Sequence, residues 1–175
     1  MTLEDIYFIA SIFAAFSVVV SLIFVGLQVR QSTAATKAAA AQAVHSNFAG
    51  WYLSLQSDLV LSEIGIKGTN NYASLTVIER AQFISLFMAF TSYMQDAYYK
   101  WRDESLSPEL WRGWEYVSMN FFNSNGGRAF WDDRSYMFGQ SFQSFINDDL
   151  LKRAVHPNAK PLGAFKVKDA LEEPS

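Results

Sequence analysis

The chain has 175 residues, half of them apolar, with 14 basic side chains against 17 acidic ones. A net charge of −3 argues against a dedicated nucleic-acid binder, which normally carries a basic excess. With no cysteine there is no disulfide scaffold, thiol nucleophile or Cys-based zinc site, and two distant histidines, His45 and His156, make a His-based metal centre a poor reading.

The composition is unevenly spread. Residues 1–5 form a short acidic start carrying Glu4 and Asp5. The run from Ile6 to Leu27 that follows contains no charge at all. As a helix this run would be about 33 Å long, enough to cross a hydrocarbon core of about 30 Å, so residues 6–28 are read as a transmembrane helix. A cleaved signal peptide would have a basic start, a shorter apolar core and a small-residue cleavage site just beyond it. Here the start is acidic, and Ala41-Gln42-Ala43 lies far downstream. Arg30 and Lys37 follow the span and no basic residue precedes it. The positive-inside rule therefore places the N-terminus outside and the remainder in the cytoplasm. Within the span, Ala10, Ala14, Ser17 and Ser21 recur at spacings of 4, 3 and 4, a stripe of small residues suited to helix association in the bilayer.

Residues 29–57 read as an Ala-rich juxtamembrane helix, since they contain good helix formers, no proline and no glycine before Gly50. Between residues 31 and 57 the only formal charge is Lys37. The series Ala34, Ala38, Ala41, His45, Phe48, Tyr52 and Leu55 has heptad-like spacing. Its small upper half (Ala34, Ala38, Ala41 and His45) is the expected assembly seam, and its aromatic lower half is expected to pack on the domain that follows. His45 lies about 27 Å along a helix from the end of the span, so a packed histidine is a better reading than a cofactor ligand.

Residues 58–154 are expected to form a small helical bundle. A first helix runs from Asp58, as cap, to Lys67, with Gly68 as its stop, and Thr69–Ser74 is a turn. Thr76-Val-Ile-Glu79 has capping-box spacing and opens a helix to about Asp103, with Phe83, Phe87, Phe90, Met94 and Ala97 or Tyr98 on its apolar face. Ser107-Pro108 starts the next helix, whose stripe is Leu110, Trp114, Val117 and Phe121, and Asn123–Gly127 closes it. Short helices over about 127–134 and 141–151 complete the set. Residues 155–175, rich in proline and mixed charge, read as an extended or disordered tail. The fold class is all-α, and most of the many aromatic rings fall on faces that a bundle must bury.

Chemistry is sparse. Asp103-Glu104, Asp132-Asp133 and Asp148-Asp149 are adjacent pairs, which diverge on a helix and read as solvated faces. Asp96 with Lys100 and Arg128 with Asp132 stand at i,i+4, and Arg112 lies between Glu109 and Glu115, which suggests surface pairing. Gly127 and Arg128 form a candidate anion contact, although Gly126-Gly127 reads more simply as a tight interhelical turn. No catalytic constellation, resident metal or cofactor is expected.

MTLEDI, LIFVGLQVRQST, YYKWRDESLSPELWRGW and GGRAFWDDR, in that order, resemble a widespread uncharacterised family of single-span bacterial membrane proteins with a helical C-terminal domain. YY-x-x-R, E-x-W-x-x-W and GGR-x-x-W recur in that family, and the resemblance covers roughly residues 1–150. It implies bacterial origin and single-span topology, with no established activity. Tyr99, Arg102, Glu109, Trp111, Trp114, Gly127 and Arg128 are the residues it singles out. Together these features lead to an expectation of a non-enzymatic accessory or scaffold subunit of an inner-membrane complex, or of a homo-oligomer. Its partners would be the lipid bilayer and either itself or another integral-membrane protein. A tethered sensor for a small hydrophobic or anionic ligand is the alternative.

Overall fold

The computed structural model describes residues 2–153; the expected tail at 155–175 lies outside them. Every regular element among the described residues is helical. The first, α1 (Leu3–Ser57), is a single unbroken helix, which fits a stretch without proline. The chain divides at Ala40/Ala41 into two units.

The N-terminal unit is the first part of α1. An 18-residue window of that helix has mean hydropathy 2.7, and none of it is buried. By length and composition it is a helix able to cross a membrane. Its large apolar side chains are all exposed, Phe13, Phe16, Leu22 and Phe24 by at least 60%, so the polypeptide itself gives them no apolar cover.

The second unit joins the last turns of α1 to α2 (Leu59–Asn70), α3 (Val77–Arg102), α4 (Pro108–Phe122), α5 (Asn125–Arg134) and α6 (Gln140–Ser144). The expected caps are in place. Asp58 accepts from the Leu61 N–H, and Thr76 and Glu79 form a complete capping box. Ser107 accepts from the Leu110 N–H, with Pro108 in the first turn. Each satisfies a backbone donor that a helix start otherwise leaves unpaired, typically worth about 1 kcal/mol.

Several boundaries and faces differ from expectation. Gly68 does not end α2, which runs on to Asn70; Gly68 is buried, and a Cβ there would come within 3.0 Å of the Phe83 ring and of Leu75. On α1 the row that faces the bundle is Val44, Phe48, Trp51 and Leu55, whereas His45 and Tyr52 are exposed. The expected row contained Phe48 and Leu55 but stepped to the adjacent positions at the other two. On α4, Trp111 is buried and Leu110 is 48% exposed, the same one-residue displacement. The segment expected as one helix over 141–151 comprises α6, a π-helical turn at Phe145–Asp149 and a 3₁₀ turn at Leu150–Lys152.

Gly126 and Gly127 do not make an interhelical turn. Both lie in the first turn of α5, with Ser124 as the cap. Their role is close approach: a Cβ at Gly126 would collide with the Gly68 backbone, and one at Gly127 with the Phe121 carbonyl. The chain reversal after α3 is made instead by Glu104, at φ 60°. There the Ser105 N–H reaches back to the Lys100 carbonyl at 2.8 Å, so the last turn of α3 is closed by a non-glycine residue in the left-handed region.

The core is aromatic. Phe83, Phe87, Phe90, Met94 and Ala97 of α3 are all buried, as their spacing predicts. Phe87 stacks on Phe121 at a centroid distance of 4.1 Å and an interplanar angle of 5°. Phe48 stacks on Trp114 at 3.6 Å, which fixes the end of α1 to α4.

Candidate functional site

The residues singled out in the sequence fall into separate places. On the N-terminal part of α1, Ala10, Ala14, Ser17 and Ser21 are exposed, as are Ala34 and Ala38. The Ser17 hydroxyl donates to the Phe13 carbonyl at 2.8 Å, so its proton is spent within its own helix. What the stripe offers a neighbour there is smoothness together with an acceptor oxygen. In the second unit, Ala41 is half-buried and packs against the core, while His45 points away from it.

Gly127 and Arg128 are already engaged. The Gly127 N–H donates to the Ser124 hydroxyl at 3.0 Å, and the Arg128 guanidinium donates to the Asn123 side chain at 2.7 Å. The expected Arg128–Asp132 pair is therefore replaced by a contact across the α4–α5 junction. An anion at this helix start would have to displace the serine cap.

The carboxylates lie beside cations. Asp96 pairs with Lys100 at 2.6 Å, as its spacing suggested. Asp148 pairs with Lys152, and Arg153 bridges Asp149 and Glu115 at 2.7 and 2.8 Å. Glu115 thus faces Arg153 rather than Arg112. Glu79 receives both contacts of the Lys67 ammonium, at 2.8 and 2.9 Å, and the Thr76 N–H at 2.7 Å. The Lys67 hydrogen bonds, followed by those of Thr76, hold the Glu79 carboxyl down at about 2. Among the described residues no three His, Asp or Glu side chains gather into a metal-holding group.

The aromatic motifs converge on packing. Trp101 stacks on Trp111 at 5.2 Å, and Tyr98 on Phe145 at 4.9 Å. The Arg102 guanidinium lies 4.7 Å from the Tyr99 ring centroid, a cation–π contact on the outer side of the same cluster. Trp131 stacks on Phe138 and donates its indole N–H to Asn147 at 2.8 Å, tying α5 to the π-helical turn. Two buried polar atoms have no partner among the described residues: the Thr91 hydroxyl and the Trp111 indole N–H.

No protein-family model matches this chain, and no curated protein or solved structure shows a significant similarity to it.

The second unit also holds a concavity that the sequence did not reveal. It is an open trough of about 630 Å³ in the second unit, walled by the end of α1, by α2 and by the first half of α3. Trp51 and Leu86 form part of its wall and are locked together, the Trp51 indole N–H donating to the Leu86 carbonyl at 3.0 Å. Gly50 and Ser54 of α1 face Ala81, Ser85 and Ala89 of α3, and these small side chains keep the space open. Among the described residues no Asp, Glu, Lys, Arg or His lines it. Its only trace in the sequence is a row of small residues on the α3 face opposite the phenylalanines, which carries no information about what stands across from it.

Proposed function

We propose that this chain is a membrane-anchored, non-enzymatic assembly protein of the bacterial inner membrane, N-terminus outside and bundle cytoplasmic. It serves as an accessory or scaffold subunit of a larger membrane complex or as a homo-oligomer. The observation that supports this most is the bare length of α1. From Leu3 to Ala39 every described side chain is exposed, and beyond Arg30 only Lys37 is charged. Lipid would cover residues 6–28. The next turns, rich in exposed alanine and poor in charge, are better matched to a protein surface than to water. The bacterial placement and single-span topology rest on the family resemblance and on the basic residues after the span.

The absence of cysteine makes a direct test straightforward. Single cysteines at positions 33 to 41 would be oxidised in native membranes and cross-linking scored by position. The seam reading expects maxima at Ala34 and Ala38, which are exposed, and less at Ala41, which packs against the core, if the chain pairs with itself. If the partner is another protein, the same positions would give a discrete higher-mass adduct. Uniformly absent adducts, with a monomer and no companion after gentle detergent extraction, would overturn the assembly reading.

A further inference from the structure

The trough beside Trp51 has a shape as well as a volume. Along α3 its lining runs from Ile78 through Ala81, Ser85 and Ala89 to Tyr93. Fifteen residues of helix are about 22 Å long, so the space is elongated along α3. The trough is open along its length, and its volume falls within the small-molecule range of about 300–1,000 Å³.

Its electrostatics limit the occupant further. Among the described residues the lining contains no ionised group to neutralise a carboxylate, phosphate or ammonium, so a buried charge would be left unpaired. The serine hydroxyl protons are also spent within their own helices, which leaves only acceptor oxygens towards the space. Ser54 donates to the Trp51 carbonyl at 2.7 Å, and Ser85 to the Ala81 carbonyl at 2.9 Å. The lining groups with a hydrogen-bond donor still to offer a ligand are the Gln82 amide and the Tyr93 hydroxyl. They stand eleven residues apart on the same face of α3, about 16 Å along its axis. The trough is therefore largely apolar, with one neutral hydrogen-bond donor towards each end. The Trp51–Leu86 hydrogen bond holds the wall in place whether or not anything is bound.

We infer that this trough binds the hydrocarbon chain of an uncharged lipid drawn from the bilayer, with the neutral head of the lipid at Gln82 or Tyr93. The bilayer source rests on reading α1 as a membrane span; the site itself rests only on the geometry of the second unit.

Trp51 lies in the wall and would report occupancy. The full chain would be reconstituted in nanodiscs and titrated with a monoacylglycerol carrying a 9,10-dibrominated stearoyl chain, whose bromines quench indole fluorescence on contact. Emission from Trp51 would be isolated by difference from Trp51→Phe. The expected result is saturable quenching that is lost in Ser85→Phe and in Ala81→Leu, both exposed positions on the trough wall, and kept in Ser141→Phe, exposed and outside it. The free dibrominated fatty acid, ionised at neutral pH, should quench less. Quenching that never saturates, or that survives both trough substitutions, would overturn the site, as would equal binding of the ionised acid. Alkaline washing of native membranes tests the bilayer source separately. A chain that washes off removes that source, while one that stays and shows no saturable quenching removes the trough alone.

Discussion

Phe48 and Trp114 lie face to face, their ring centroids 3.6 Å apart and their planes within 13°. Phe48 is 1% exposed and also meets the Phe90 and Tyr93 rings edge-on. This stack joins the last turns of α1 to the helix that carries the second aromatic motif. Truncating Phe48 to Ala should destabilise the bundle by about 3–5 kcal/mol. In a double-mutant cycle with Trp114→Ala, measured by denaturant unfolding, the coupling should be about 0.5–1.5 kcal/mol. Additive losses would show that the stack contributes only through burial.

Thr91 presents the opposite case, a fully buried hydroxyl with no hydrogen-bond partner among the described residues. Val has nearly the same shape and no polar atom, so Thr91→Val should stabilise the fold by about 1–2 kcal/mol, since an unsatisfied buried polar group carries a desolvation penalty of that size. A rise in urea midpoint at unchanged m-value checks this. A fall would mean that the hydroxyl has a partner, such as a buried water.

Gly127 should tolerate no side chain. Gly127→Ala places a methyl against the Phe121 carbonyl, and Gly126→Ala places one against the Gly68 backbone. Each should lose about 1–3 kcal/mol or more through forced backbone movement. Gly113→Ala, with nothing within 4 Å of its Cβ, should instead gain several tenths to 1 kcal/mol from helix propensity. Thermal unfolding of the three variants in parallel separates steric demand from propensity.

The Glu79 carboxyl gives the fold a defined acid limit. Its ordinary value of 4.5 is lowered to about 2 by Lys67 and Thr76. A depressed folded-state value means that its contribution is fully present above about pH 4.5, declines as the pH falls and is lost below about 2. Stability followed from pH 6 to pH 2 should fall through that window. Glu79→Gln should flatten that part of the profile while lowering stability at pH 6. An identical pH profile in the two proteins would exclude this carboxyl as a source of the acid sensitivity.

What could be read from the sequence followed how local each interaction is. The caps at Asp58, Thr76 and Ser107 were legible because their partners lie three residues away. The phenylalanine face of α3 was legible because it is the one heavily apolar face of that helix. Two other faces were misplaced by one residue. In α1 the pairs Val44/His45 and Trp51/Tyr52 each offer two neighbouring rows about 100° apart, and periodicity alone does not say which row meets the bundle. Leu110 and Trp111 in α4 pose the same choice. The trough was illegible because its walls come from three helices and its defining feature is small side chains. The glycine contact was illegible because Gly68 and Gly126 belong to helices far apart in sequence.

That last contact does more than permit close packing. Where α2 and α5 meet, Gly126 faces the Gly68 carbonyl, and the Phe83 ring fills the space beside both glycines. Sliding α2 by one residue would bring Lys67 or Thr69 into a gap with no room for a Cβ. The crossing therefore acts as a registration mark, accepting one alignment of α2 against α5 and rejecting its neighbours. A core built largely from interchangeable aromatic rings would otherwise have many nearly equivalent ways to pack, and this glycine pair removes most of them.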